Sequence, residues 1–261
     1  MHIGELPQRT QEYLKLLWGI SERSGESGGQ ASVSLSELSR RAQQKNSTTS
    51  EAIKRLQARG LVEHEPYSGV KLTELGARLA LVMIRRHRLI ETFLVETLGY
   101  TWDEIHADAD LLEHAASDRF INRIDALLDF PTRDPHGDPI PSADGRVEDL
   151  GVMSLAECEP GLQVVIEQVN DEDPELLRYL AAHDIAPGSR VRVTSPSVAG
   201  LVHVQVLSST TDEPAGDPVA LAVKAAADVK ISVDNDSLAD ARPTAEDSIA
   251  EPIPERHSNE N

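Results

Sequence analysis

Between His87 and His114 the chain reads HRLIETFLVETLGYTWDEIHADADLLEH, which places His87, Glu91, His106, Asp110, Glu113 and His114 in one largely helical stretch. Imidazole nitrogens and carboxylate oxygens at this density are a donor set for a divalent metal ion. Counted from His106, the later candidates fall at i+4, i+7 and i+8. At about 100° per residue these offsets return to one helix face, so the four side chains can be aimed at a common ion. His87 and Glu91 form a second i, i+4 pair on the preceding helix. Any one such pair is the ordinary pattern of a solvated face. Three histidines sharing a surface with three carboxylates point instead to metal.

These residues need helices to hold them. Gly99, Tyr100 and Thr101 break the pattern, with Thr101 placed to cap a helix whose first turn is Trp102, Asp103 and Glu104. Before the break, TELGARLALVMIRRHRLIETFLVETLG is one long helical pattern. Its stripe of Leu75, Leu79, Val82, Leu89, Phe93 and Leu94 is broad enough to be buried against several neighbours, a second protomer included.

The first eighty residues or so read as a winged helix-turn-helix. A helix from about Gln8 to Ile20 carries Tyr13, Leu14, Leu17 and Trp18 on its apolar face, and SERSGESGGQ follows as a Gly/Ser loop. SLSELSRRAQ is the next helix, capped by Ser34 or Ser36, and a turn at Lys45 and Asn46 leads to another helix from Ser47 to Arg59. That helix opens on Ser47, Thr48, Thr49 and Ser50, short polar side chains suited to base edges and phosphates. Arg41, Lys45, Ser47, Thr48, Ser50 and Arg55 are therefore the candidate DNA contacts. Gly60 stops the helix, and LVEHEPYSGVKLT supplies the two short strands of the wing.

The formal net charge is −19, which taken alone argues against nucleic acid. Its distribution argues otherwise. Arg40, Arg41, Lys45, Lys54, Arg55 and Arg59 make a basic island opposed only by Glu51, while the residues from Asn235 onward form an acidic, Pro- and Ser-rich tail with too little apolar surface to fold. The lone Cys158 excludes an internal disulfide and a thiolate zinc cluster. No apolar run is long enough to span a bilayer, and MHIGELPQRT lacks the apolar core of a signal peptide, so a cytoplasmic protein without membrane partners is expected. No phosphate loop, oxyanion-hole loop or nucleophile motif supports a metalloenzyme, the competing class for a His and carboxylate cluster.

DPHGDPIP, from Asp134 to Pro141, reads as a loop, and His136 within it has no ligand spacing around it and is expected to be structural. VVIEQV, RVRVTS, LVHVQVL and VALAV then alternate as strands of a small barrel, DPELLRYLAAHDI is a helix between the first two, and VALAVKAAADVKISV repeats strand, turn, strand. His183 and His203 stand alone there.

A winged helix followed by HRLIETFL, HADADLLEHAASD, DPHGDPIP and a small barrel resembles the diphtheria-toxin-repressor family of metal-activated transcription regulators, over roughly residues 5 to 234. The resemblance implies an α+β chain of a winged helix-turn-helix domain (1–79), an all-α metal-binding and dimerisation domain (80–150) and an SH3-like barrel (151–234), followed by the acidic tail (235–261). It further implies a homodimer, not an enzyme, that binds a palindromic operator in double-stranded DNA and represses metal-homeostasis genes. By residue-to-residue matching, a primary site would use Glu12, Asp110, Glu113 and His114, and an ancillary site His87, Glu91, His106 and, from the barrel, Asp173. Iron-responsive members have a thioether and a thiol in the primary site, where this chain has the oxygen donors Glu12 and Asp110. That change favours Mn²⁺, with Fe²⁺ as the alternative, at up to two ions per subunit. Lys15 stands where small manganese regulators carry a second N-terminal carboxylate, and Leu176 stands near the second barrel ligand of iron-type members. Two separated sites, the ancillary one short of a ligand, are the expectation.

Overall fold

The computed structural model describes residues 1–24, 31–65, 68–148, 153–208, 211 and 213–233. The centre of the Gly/Ser loop, the expected boundary at 150 and the acidic tail lie outside these residues.

Helices α1 (Gln8–Arg23), α2 (Leu35–Arg41) and α3 (Asn46–Ala58) precede the antiparallel wing strands β1 (Val62–Glu65) and β2 (Gly69–Leu72). Ser34 caps α2 by accepting from the Glu37 amide, and Gly60 at φ 68° ends the chain's run out of α3. Tyr13, Leu14, Leu17, Leu38, Ile53, Leu56, Leu61 and Val70 form the core of this unit, and it continues along the next helix, α4 (Glu74–Leu98), through Leu79, Ala80, Met83 and Ile84. The expected division between residues 79 and 80 therefore falls inside a continuous helix. Thr73 caps it, and a Cβ at Gly76 would lie 1.9 Å from the Leu61 carbonyl oxygen, so only glycine lets α4 run this close to the wing.

The second half of α4 packs Leu89, Ile90 and Leu94 against Ile105 and Ala109 of α5 (Ile105–Ala115) and Ile121 and Ile124 of α6 (Asp118–Leu127). Thr101 does not cap α5. Residues 102–104 form a turn and the helix begins at Ile105, because the Thr101 carbonyl and the Glu104 carboxylate close that turn on themselves. Most of the stripe on α4 is spent inside its own chain, with Val82 left partly in solvent, and further large apolar side chains are exposed at Leu111 and Leu112 on α5, Phe120 and Leu127 on α6, and Phe130 just beyond.

The C-terminal unit is a six-stranded antiparallel sheet of SH3-like type in the order β3-β8-β4-β5-β6-β7, where β3 is Met153–Ser154, β4 Gln163–Val169, β5 Arg190–Val198, β6 Leu201–Val206, β7 Val219–Ala222 and β8 Val229–Val233. Its inward residues, among them Val164, Ile166, Val191, Val204 and Ile231, enclose a separate core with Leu176, Leu177 and Leu180 of α7 (Pro174–Ala181). The turn read in VALAVKAAADVKISV is a short helix, α8 (Val223–Ala227). The DPHG loop docks on this sheet: Gly137 has φ 88°, and a Cβ there would come within 1.9 Å of the Glu167 carbonyl oxygen on β4.

Candidate metal centre

Helix α5 is the axis of the site, with α1 on one side, α4 behind it and the loop between β4 and α7 beyond. Its histidines and carboxylates do not converge on one point. They divide into groups whose donor atoms lie within 4.8 Å of one another: Glu12, Glu113 and His114; His87, Asp110 and Glu113; His87, Glu91, His106 and Asp171; and Glu91, Asp134 and His136. Donors so spaced can surround one ion at the metal-to-ligand distances of about 2.0–2.6 Å usual for hard divalent cations.

In the first group His114 Nε2 lies 3.4 Å from Glu12 Oε2 and 3.5 Å from Glu113 Oε1. Its orientation is fixed from α1. Gln11 donates its amide to the carbonyls of Ile3 and Leu6 at 3.1 and 2.9 Å, which turns its Oε1 toward His114 Nδ1 at 2.8 Å. A proton held on Nδ1 by that contact leaves the Nε2 lone pair facing the two carboxylates, the arrangement a metal-ligating histidine needs. Glu113 is fully buried. Asp110, expected here, is turned away: its Oδ1 accepts from Lys15 Nζ at 2.6 Å and its Oδ2 lies 3.5 Å from His106.

His87 connects the groups. Its Nε2 is 2.9 Å from Glu91 Oε1 and its Nδ1 is 2.7 Å from Glu113 Oε2. Burial alone would lower its pKa, but Glu91 and the hydrogen bonds to Glu113 and Glu91 outweigh that and the nearby Lys15 charge, raising it to about 9. His106, also opposed by burial, is raised to about 11 by its hydrogen bonds to Asp171 and Glu91. Burial would raise the carboxylate pKa of Glu91, but the His87 charge and the bond to His106 hold it well below the usual range. Without a metal, protons on two histidines balance the carboxylates.

Asp173 is not part of this arrangement. Its Oδ1 accepts from the amides of Glu175 and Leu176 and caps α7, which turns the carboxylate to the helix start and leaves it outside the groups of donors around α5. Asp171, two residues earlier, supplies the barrel's carboxylate, with Oδ2 3.4 Å from His106 Nδ1. Leu176 packs into the barrel core and contributes no donor, as its side chain requires.

His136 is a residue whose place the sequence reading missed. It is fully buried, its Nε2 lies 2.8 Å from the Trp102 carbonyl and so carries the proton, and its Nδ1 has no hydrogen-bond partner. That unpartnered nitrogen stands with Glu91 and Asp134. Burial and the neighbouring carboxylates Asp138 and Glu91 push the Asp134 pKa well up, so this corner holds more acid than its one guanidinium, Arg88, neutralises. Arg88 is itself buried and pairs with Glu22 at 2.7 Å and Asp138 at 3.3 Å. The only signal in the sequence was a histidine beside two aspartates in a proline-rich loop, and their partner Glu91 lies more than forty residues away.

Of the residues expected to contact DNA, Lys45 stands at the N-terminus of α3, and Lys45, Ser47, Thr48 and Arg55 are exposed, with Ser50 partly so. Arg9, Tyr13, Ser47, Thr48, Glu51, Ala52 and Arg55 line a shallow groove there. Thr49 is buried, and Tyr13 donates to its hydroxyl at 3.3 Å, fastening α3 to α1 next to Glu12. Arg41 is not free as expected: it pairs with Glu37 and with Glu172, the neighbour of Asp171, and Arg23 joins the same carboxylate at 2.8 Å.

Three family models cover the chain in sequence: an iron-dependent repressor N-terminal DNA-binding domain over residues 5–70, an iron-dependent repressor metal-binding and dimerisation domain over residues 73–142, and a FeoA domain over residues 153–232. A solved manganese-dependent transcriptional repressor in complex with manganese is 43% identical, covering 86% of this chain and 99% of its own with a TM-score of 0.76. The chain belongs to the diphtheria-toxin-repressor family. The iron-dependent repressor IdeR of Mycobacterium tuberculosis is 28% identical over 214 residues, spanning 77% of this chain and 90% of the relative. The diphtheria toxin repressor of Corynebacterium diphtheriae is 28% identical over 204 residues, spanning 72% and 85%. As a member of that family of repressors the protein is a metal-dependent DNA-binding regulator of transcription and not an enzyme. No helix among the described residues is long and apolar enough to cross a membrane.

Proposed function

We propose that the protein is a manganese-activated repressor that binds a palindromic operator as a homodimer. The observation that carries this reading is the group of Glu12, Glu113 and His114, because Glu12 lies on α1 and the other two on α5. An ion held there offsets the repulsion between two carboxylates and fixes α1 against α5. Through the Tyr13 to Thr49 hydrogen bond, α3 is fixed with it. Metal thus favours one orientation of the DNA-reading helix by its differential affinity for that orientation.

Oxygen and imidazole donors without sulfur suit Mn²⁺, which lies at the weak end of the affinity series and is selected by ligand type and geometry, and Glu12, Glu113 and His114 form such a set. A second ion is assigned to His87, Glu91, His106 and Asp171, with Asp134 and the bare His136 nitrogen extending the donors around Glu91. Asp110 joins the primary ion by exchanging its contact with Lys15. The exposed Leu111, Leu112, Phe120, Leu127 and Phe130 make an apolar face on α5 and α6 suited to pairing two copies about a twofold axis.

The test is a duplex selected from random sequences by the Mn²⁺-loaded protein, then titrated with Mn²⁺, Fe²⁺ and chelator. The expected outcome is a palindromic site bound tightly with Mn²⁺, more weakly with Fe²⁺ at equal concentration, and weakly in chelator. Equal affinity in saturating chelator overturns the reading. On that duplex, replacing Lys45 or Arg55 with Ala is expected to reduce the dependence of affinity on salt.

A further inference from the structure

Lys15 lies three residues after Glu12, on the same face of α1, and it points into α5. Its side chain is only 12% exposed. The ammonium donates to Asp110 Oδ1 at 2.6 Å and to the Glu113 carboxylate oxygens at 2.9 and 3.1 Å, and lies 2.9 Å from His87 Nδ1. Asp110 and Glu113 are its ion-pair partners, and together with His87 they are themselves a group of donors spaced to hold an ion. We propose that Lys15 is a tethered cation that takes the place of a metal ion among His87, Asp110 and Glu113, so that it sets the number of ions α5 holds.

The argument is one of charge and space. Glu113 is wholly buried and belongs both to this group and to the one with Glu12 and His114. An ion in each would share the Glu113 carboxylate as a bridge and form a pair. The ammonium occupies the second position and already supplies a positive charge to both carboxylates, so a second ion there would meet a like charge with no room to place it. It also holds Asp110 by its shortest contact, which sets a threshold: an ion recruiting Asp110 to Glu12, Glu113 and His114 must first win it from Lys15. The effect is a site that takes one ion where its ligand residues could otherwise take two.

This rests on the manganese reading above, and the test separates the two. Mn²⁺ bound per subunit is counted after gel filtration for the wild-type protein, Lys15→Met and Lys15→Glu, and the Mn²⁺-saturated samples are examined by electron paramagnetic resonance. One additional ion per subunit is expected in both variants. Both variants are further expected to show an exchange-coupled Mn²⁺ pair that the wild type lacks. In chelator, Lys15→Met is expected to melt below the wild type, with the gap closing as Mn²⁺ replaces the missing ammonium. Should that variant not fold, the count for Lys15→Glu and the wild-type spectrum decide. Equal ion counts in wild type and variants, or a coupled pair in the wild type, overturn the inference and leave the proposed function standing. Absence of Mn²⁺ from the wild type overturns both.

Discussion

The group of Glu12, Glu113 and His114 joins α5 to α1, whereas that of His87, Glu91, His106 and Asp171 joins α5 to α4 and to the loop ahead of α7. Both are carboxylate and imidazole clusters, yet they differ in what they hold in place. The first reaches the helix that carries Tyr13 and, through it, α3. The second reaches the barrel, and Asp171 there is followed by Glu172, which grips Arg23 and Arg41 of the winged-helix unit. In the proposed function an ion in the first group would hold α3 through α1, whereas one in the second would tie down the loop that leads into the barrel. Glu113 and His87 are the points where they touch, with Glu113 Oε2 2.7 Å from His87 Nδ1.

The largest effect is expected where the orienting group is broken. Glu113→Ala or His114→Ala should abolish Mn²⁺-activated operator binding and most of the Mn²⁺-induced rise in melting temperature, since the ion then no longer binds the native state preferentially. Operator titrations and melting curves with and without metal check this. His106→Ala should only raise the Mn²⁺ concentration needed, on the order of the ten- to hundredfold cost seen when a metal site loses a supporting group. His87→Ala should fall between them, because His87 faces both Glu91 and Glu113. A His106 variant as inactive at saturating Mn²⁺ as the His114 variant would dissolve the distinction between the groups.

Acid should act on the second group in a definite direction. The His87 pKa is raised to about 9 in the metal-free fold from an ordinary value of 6.5. Its contribution to metal-free stability is therefore full below about pH 6.5 and is lost as pH rises through about 9, the folded-state value. Metal needs the neutral ring, so protons and Mn²⁺ compete, and binding should tighten with pH across the same window. In chelator the melting temperature should fall between pH 6.5 and 9, and His87→Gln should flatten that fall. A wild-type curve that rises over this range would show that His87 is not held as the charged partner of Glu91 and Glu113.

Local chemistry explains what could be read from the sequence. The wing, the α3 start, the long α4 and the paired residues of α4 and α5 are signalled by caps, glycines and helical spacing within a few residues of each other. The α5 donors fall at i+4, i+7 and i+8, yet the helix serves two groups, because one end faces α4 and the barrel loop and the other faces α1. Sequence spacing defines a face but not the neighbours along it. His136 and Asp134 were invisible for the same reason: their partner Glu91 is reached only by the docking of the DPHG loop, which Gly137 allows. Arg41 looked like a phosphate contact until Glu172, 131 residues away, was found against it.

The smallest effect expected separates two aspartates in one loop. Asp173 accepts from the amides of Glu175 and Leu176 at 3.0 and 3.1 Å, while Asp171 lies 3.4 Å from His106 Nδ1. Asp173→Ala removes a helix cap and should cost about 1 kcal/mol of stability, equally with and without Mn²⁺. Asp171→Ala removes a carboxylate facing the cationic His106 in the metal-free state and a donor in the loaded state, so its cost should depend on metal. Isothermal titration with Mn²⁺ should show the second ion weakened in Asp171→Ala and unchanged in Asp173→Ala. Glu172 lies between the two positions and holds Arg23 and Arg41, so its own effect must be separated from theirs. Glu172→Ala is the control: it should leave the Mn²⁺ isotherm intact while steepening the salt dependence of operator binding, since Arg41 then keeps only Glu37 as a partner and its Nη1 can meet phosphate. An isotherm altered by Asp173→Ala and not by Asp171→Ala would return the barrel ligand to Asp173 and require the loop to turn over when metal binds.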